Sequence, residues 1–502
     1  MNQRKAGAVL SYVGIAGNTV ASFIFVPILI SLLGKEQFGL YQLVGSMIAY
    51  LMIMDFGLAN TTTRYYSIYM AQGNDKSKEN LLATTGVLYC LISAAIVIAG
   101  ICGIDYLISF YTNTLSPQDI AVAKKMFYIL LVNVAIVIPA NIFTAVINSH
   151  EKFIFSKTII IFTAFFRPLT ILLFLLISTN IITVVVVQTV FNILIVAANI
   201  YFALFILKAK FKLYFWDWKL VKEILRFSFF VFIPGIMNLA YWKTGQIILG
   251  AVSGANTVAV YATAILIANA YISLSGSISG VFLPRLSAIT AKTDDMSEIN
   301  NIFISSSRIQ FLLLALFLSG FIVYGKEFMF FWLGESFISG YYLALIFMLG
   351  LFICLVQGVG GPIVQAKNKH AFRSVVYFLL GLANIAISIP MAKLYGALGC
   401  AITTGFCLLL GQTIIMNIYY HKIGIAIFKF FKEIFFSSFV VFGVSIAAII
   451  IKYYWVCDNL YSFLSQIVIF TLMYSILMWK LFMNDYEKNL VLNPLFKALN
   501  KV

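Results

Sequence analysis

The chain has 502 residues, 62% of them hydrophobic and only 10% charged, with 34 Lys and Arg against 18 Asp and Glu. So little polar surface excludes a water-soluble globule of this length and makes lipid the solvent. The net charge of +16 requires no nucleic-acid partner, because the bases are scattered over short gaps between apolar runs.

Apolar runs of about 20 residues or more, the length needed to cross a bilayer, fall at 8–33, 38–62, 81–103, 125–148, 156–178, 182–207, 227–251, 257–283, 304–324, 341–365, 372–392, 396–420, 433–452 and 460–480. The expectation is an all-α polytopic membrane protein of about fourteen transmembrane helices. The first run has no small-residue cleavage site and is too long for a signal-peptide core, so it is expected to stay as the first span. Of the 34 bases, 26 lie in the even gaps and at the two ends, six lie in the odd gaps, and Arg167 and Lys243 fall inside spans. By the positive-inside rule both termini are expected in the cytoplasm.

The longest and most basic gap, KAKFKLYFWDWKLVKEILRF, follows the sixth span. It divides the chain into an N-terminal lobe, 1–207, a basic cytoplasmic linker, 208–226, a C-terminal lobe, 227–421, and two added spans with a cytoplasmic tail, 422–502. The second lobe echoes the first. LLGKEQFGLY ends at Tyr41 and VSGANTVAVY at Tyr261, each with a Gly seven residues earlier (Gly34, Gly254), and the same 220-residue offset brings Arg64 within one residue of Arg285. Both copies start inside, turn outside and end in Arg, the pattern of a parallel repeat about the membrane normal.

Ionisable residues inside spans are costly, about 2.5–3.5 kcal/mol each on insertion scales, and are candidate functional groups for that reason. There are three: Asp55 in the second span, Arg167 near the middle of the fifth and Lys243 in the seventh. Arg64 and Arg285 sit at the inner mouths of the two repeats. Asp55 either couples an ion or pairs with a base to lock helices, and the two mouth arginines either bind a ligand or anchor lipid headgroups. Two buried cations and one buried anion leave an excess positive charge, which an anionic ligand would neutralise. Asn and Gln recur at helical spacing, including Asn141, Gln188, Asn192, Asn238 beside Tyr241 and Trp242, and Asn269 with Ser273 and Ser277. Such stripes suit either sugar hydroxyls, with the aromatic rings stacking on pyranose faces, or hydrogen bonds between helices.

No HExxH, GxxxxGK[ST] or GxSxG motif occurs, and the six cysteines show no CxxC spacing. The glycine-rich QGVGGP at 357–362 lies inside an apolar run and reads as a packing or kink segment. The chain is therefore expected to be no enzyme, to need no metal or cofactor, and to be monomeric.

Four stretches resemble the polysaccharide-transporter (Wzx-type) branch of the multidrug/oligosaccharidyl-lipid/polysaccharide exporter superfamily: LLGKEQFGLYQL, DFGLANTTTRYYS, GQIILGAVSGANTVAVYATA and FLPRLSAI. The resemblance implies two six-helix lobes around a central cavity plus two C-terminal helices. It also implies a flippase that moves undecaprenyl-diphosphate-linked oligosaccharide units, of O-antigen or a related surface polysaccharide, from the cytoplasmic to the periplasmic leaflet of a bacterial inner membrane by alternating access. Membrane lipids and polysaccharide polymerase machinery are the partners it implies. Arg64 and Arg285 match positions where related lipid II flippases carry cavity arginines, while an arginine expected in the first span of some relatives is missing, which favours O-antigen units over lipid II. A multidrug exporter of this fold would show more buried acids than bases, and a membrane-embedded polymerase would need larger outer loops than this chain has.

Overall fold

Within hydrocarbon every backbone N–H and C=O must be paired inside its own segment, so apolar runs of this length become helices. The computed structural model describes residues 3–280, 282–290, 296–489 and 492; Lys292, Lys497 and Lys501, three of the bases counted above, lie outside them. In chain order the helices are α1 (Gln3–Leu33), α2 (Lys35–Met52), α3 (Leu58–Ala71), α4 (Asp75–Ser109), α5 (Pro117–Ser149), α6 (Phe153–Ile177), α7 (Ile181–Tyr201), α8 (Trp218–Trp242), α9 (Thr244–Ser253), α10 (Ala255–Ser279), α11 (Phe282–Thr290), α12 (Met296–Leu333), α13 (Gly340–Val356), α14 (Gly360–Ala366), α15 (His370–Leu408), α16 (Met416–Lys422), α17 (Ile427–Tyr454) and α18 (Leu460–Leu481). Among the described residues, thirteen helical stretches are long and apolar enough to cross a membrane. One of them, His370–Lys422, is 53 residues long and bends at Gly396 (φ 56°, ψ −134°), so it carries two of the fourteen expected crossings.

Three expected spans are interrupted. Between α2 and α3 a short 3-10 turn, Ile53–Asp55, runs into Phe56 (φ 53°) and Gly57 (φ 71°), both left-handed. Lys243 (φ −115°, ψ −32°) separates α8 from α9, and residues 357–359, the first half of the glycine-rich QGVGGP, separate α13 from α14. The N–H of Gly358 at that last break is shared between the Leu355 carbonyl at 3.0 Å and Gln310 Oε1 at 3.3 Å. Arg285, expected at the foot of the eighth span, lies instead in the separate short helix α11.

The structure divides into two compact units. The first comprises residues 1–262 and 381–400, the second residues 263–380 and 401–502. In the first, α5 is the central helix, packed by α2, α3, α4 and α7, while α1 lies along α6, α8 along α3 and α9 along α2. The 208–217 stretch is irregular, yet it is tied to this unit: Asn80 Oδ1 accepts the N–H groups of Tyr214 (2.9 Å) and Phe215 (3.2 Å). The Tyr214 hydroxyl donates to Glu79 Oε2 at 2.8 Å, and this anionic acceptor raises its pKa above the ordinary tyrosine value. The helix after it starts at Trp218, nine residues before the apolar run, because Asp217 accepts the N–H groups of Lys219 and Leu220 as an N-cap.

Gly34 (φ 83°, ψ 164°) and Gly254 (φ 77°, ψ 177°) have the same backbone conformation, one that only glycine adopts readily, so the two echoed sequences make the same turn. A further parallel lies outside the quoted repeat: π-helical turns occur at Phe202–Ile206 and at Leu409–Ile415. Within the echo Gly39 marks the closest helix approach, since a Cβ there would lie 1.9 Å from the Ala255 carbonyl oxygen. Gly39→Ala is expected to force α2 from α10 and cost about 1–3 kcal/mol. Gly45→Ala on the same helix, with nothing within 4 Å of its Cβ, is the control; thermal unfolding in detergent should lower the midpoint for the first and not for the second.

In the second unit α12 is the axis, flanked by α13, α17 and α18. Tyr271 donates to the Leu314 carbonyl at 3.1 Å, and Ser275 bonds Gln310 at 3.1 Å and the Leu355 carbonyl at 2.8 Å. Arg308 of α12 is buried and joins α17 and the segment after α18, as described below.

Candidate functional site

The three ionisable residues predicted inside spans all lie in the first unit, and no ion pair joins them among the described residues. Arg167 is half-buried on α6. Its Nη2 donates to Asn192 Oδ1 on α7 at 3.2 Å, while its Nε is buried with no partner. One turn earlier on α7, Gln188 Oε1 accepts the Tyr41 hydroxyl at 2.8 Å. The polar stripe of α7 thus faces α2 and α6 within one unit, and Asn199 extends it to Thr144 of α5 at 3.3 Å.

Between α1 and α6 a groove of about 340 Å³ opens onto Arg167. Ser11 and Asn18 of α1 face Lys157, Thr163 and Arg167 of α6 across it, and none of the described residues that line it is Asp or Glu. Sequence reading placed Lys157 among loop charges and so missed it. The available signal was spacing: 157, 160, 163, 164, 167 and 168 share one helix face.

Lys243 sits at the break between α8 and α9 and is half-buried. Its ammonium makes no hydrogen bond and no ion pair among the described residues, whereas the groups after it are well tied: the Thr244 hydroxyl bonds the Tyr50 hydroxyl, and Gln246 Oε1 accepts from Ser46. These bonds fasten α9 to α2 on the C-terminal side of the break. Gly245 is needed there because a Cβ would meet the Tyr261 ring at 2.5–2.8 Å.

Asp55 does not pair with a base. Its Oδ1 accepts the N–H of Gly57 at 2.8 Å and its Oδ2 accepts from Asn141 Nδ2 at 3.3 Å. The carboxylate therefore satisfies a backbone donor freed by the break, as an Asx turn does. Gly57 is confined as well, since its Cβ would lie 2.8 Å from Val231 of α8.

The remaining candidates are dispersed. Arg64 is exposed, with its guanidinium 4.6 Å from the Phe227 ring and 5.9 Å from Tyr65. In the second unit the exposed Arg285 pairs with Glu298 at 3.7 Å, a contact worth about 0–1 kcal/mol. Asn238 and Asn269 are exposed, and Ser273 and Ser277 bond back to carbonyls one turn earlier on their own helix. Tyr241 and Trp242 are 1% and 8% exposed, and Met237 and the Tyr241 ring close over Gly381. Neither ring presents a face to a ligand in this conformation. The structure thus brings together Arg167 with Asn192 and Asp55 with Asn141, and leaves Lys243 as a separate cation.

The fold is shared with transport proteins. A lipid II flippase MurJ in an inward closed conformation superposes with a TM-score of 0.75 at 17% identity, over 93% of this chain and 97% of that one. Multidrug resistance MATE family transporters of the MOP superfamily match in an inward-facing conformation (TM-score 0.64, 13% identity, 82% of this chain and 96% of the other) and in an outward-facing one (0.58, 12%, 86% and 97%). No curated protein sequence matches the chain. The family model described as polysaccharide biosynthesis protein matches residues 5–290, more than half of the chain and every element that carries Asp55, Arg167 and Lys243, and the chain belongs to that family.

Proposed function

We propose that the protein is a flippase for lipid-linked oligosaccharides, moving undecaprenyl-diphosphate-linked units of a surface polysaccharide such as O-antigen from the cytoplasmic to the outer leaflet of a bacterial inner membrane. Both termini face the cytoplasm in this reading. The observation that carries it is the unneutralised positive charge: among the described residues Arg167 bonds only an amide, Lys243 has no hydrogen-bond or ion-pair partner, and Asp55 is engaged by a backbone N–H and an amide. An anion is what such bases lack, and the diphosphate is the charged part of this lipid, the part that cannot cross about 30 Å of hydrocarbon unaided.

Arg167 and Lys243 bind the diphosphate in this proposal. In the first unit Arg64 meets it at the mouth and Asn238 serves the sugars, Asn192 and Asn141 being engaged by Arg167 and Asp55; in the second unit Arg285 and Asn269 are the corresponding candidates. The family's description and the fold shared with a lipid II flippase support the reading. Reconstituted protein should carry a fluorescent undecaprenyl-diphosphate oligosaccharide between leaflets, and cells depleted of it should accumulate that lipid on the cytoplasmic side. No translocation by intact reconstituted protein, or no accumulation on depletion, would overturn the proposal. The multidrug-exporter alternative is disfavoured by the same excess of bases, since a cationic drug would be repelled.

A further inference from the structure

The α1–α6 groove holds two cations on one helix face and, among the described residues, no carboxylate. With a rise of about 1.5 Å per residue, Lys157 stands about 6 Å and Arg167 about 21 Å from the start of α6. Charge placement puts that start on the cytoplasmic side, so Lys157 lies at the depth of lipid phosphates. Arg167 lies well inside the roughly 30 Å hydrocarbon layer, beyond the reach of a resting phospholipid's headgroup. Neither base is neutralised: the Lys157 ammonium has no ion pair or hydrogen bond among the described residues, and of the five N–H donors of a guanidinium Arg167 uses one, with Nε buried and unpartnered. Between them the Thr163 hydroxyl bonds back to the Ile159 and Ile160 carbonyls of its own helix, and the exposed Ile15, Asn18 and Ile160 leave the groove open along its length.

We infer that this groove is an entry site for the phosphorylated headgroup of a translocated lipid. Lys157 captures the diphosphate at the cytoplasmic surface, and Arg167, about 15 Å further along the same face, receives it. A zwitterionic headgroup would not need two unpaired bases, and a bulk anionic phospholipid would satisfy Lys157 but never reach Arg167. The identity of the lipid rests on the flippase reading above; the existence of the anion site does not.

The test uses full-length protein in nanodiscs, with its native cysteines replaced and Asn18→Cys introduced in the groove wall, and follows maleimide labelling in the presence of undecaprenyl diphosphate or of phosphatidylglycerol. The diphosphate lipid should slow labelling several-fold, and phosphatidylglycerol at the same mole fraction should not. Losing a charge-assisted hydrogen bond, Lys157→Gln should raise the half-protecting concentration about tenfold, whereas Lys157→Arg should retain protection. No protection, equal protection by phosphatidylglycerol, or an unchanged midpoint in Lys157→Gln would each overturn the proposal. Protection that depends on Lys157 in a protein that moves no lipid would leave the site standing and remove the flippase reading. Translocation without protection would do the opposite.

Discussion

Lys243→Ala is expected to lose most of the transport, by roughly 10- to 100-fold, while Lys243→Arg keeps much of it. A charge-assisted hydrogen bond to phosphate contributes about 1.5–3 kcal/mol, and about 1.4 kcal/mol is tenfold. The bond at risk is to the ligand alone, because the Lys243 ammonium has no protein partner among the described residues and nothing within the protein is left unpaired when it goes. Removing a base from within a span also favours insertion, by about 2.5–3.5 kcal/mol on the same scales, so a folding defect would not account for the loss. Arg167→Ala should show a similar loss, with the added cost of leaving Asn192 Oδ1 without its donor. Initial translocation rates in proteoliposomes, set against the amount of protein inserted, are the measurement; normal transport by Lys243→Ala would remove its phosphate-binding role.

The crossings were legible in the sequence because a bilayer sets a length of about 20 apolar residues, and hydropathy alone finds such runs. What hydropathy cannot see is φ and ψ. The breaks at Gly57 and at Lys243 lie inside apolar windows whose average is unaffected by one left-handed residue or one turn of lost helix, although the Asp-x-Gly at 55–57 was a readable signal of a local carboxylate-to-backbone bond. Both breaks coincide with ionisable residues singled out from sequence, the arrangement of discontinuous helices at transporter sites. The glycine echo was legible because a positive φ near 80° leaves few alternatives to glycine. The polar stripes were found, but their partners were not: spacing fixes a helix face without saying what covers it, which is why Asn192 and Asn141 turned out to serve Arg167 and Asp55 while Tyr241 and Trp242 are packed away. Lys157 and Arg308 count with the cytoplasmic gaps although each lies a few positions inside the start of an apolar run; α6 and α12 begin earlier still, at Phe153 and Met296, and place both bases on the helix.

Arg308 carries the second large expected effect. It is 9% exposed on α12, and four of its N–H donors are used: Nε donates to Glu487 Oε1 at 2.6 Å, Nη1 to Glu433 Oε2 at 2.6 Å, and Nη2 to Glu487 Oε2 at 3.1 Å and to the Phe482 carbonyl at 2.9 Å. Its flat face lies 4.1 Å from the Phe482 ring centroid. Glu487, 2% exposed, is held in turn by the Asn484 N–H at 3.0 Å. One guanidinium therefore fastens α17 and the segment after α18 to α12, all within the second unit. Removing one partner of a buried ion pair costs about 3–5 kcal/mol, because the other charge stays buried and uncompensated. Arg308→Ala should thus lower the thermal midpoint in detergent and open residues 483–489 to protease. Arg308→Lys should recover little, since an ammonium cannot reproduce the fork that meets both Glu487 oxygens. If uncompensated charge is the cause, replacing Arg308 and Glu487 together by Met should restore most of the stability, because an apolar pair of similar volume leaves no buried charge uncompensated, at the smaller cost of the Asn484 N–H and the Phe482 carbonyl each losing a partner. Glu433, half-exposed, can turn to water. Equal destabilisation in the single and double variants would instead assign the effect to lost packing around Phe482, and an unchanged midpoint in Arg308→Ala would show that the ion pair holds nothing in place.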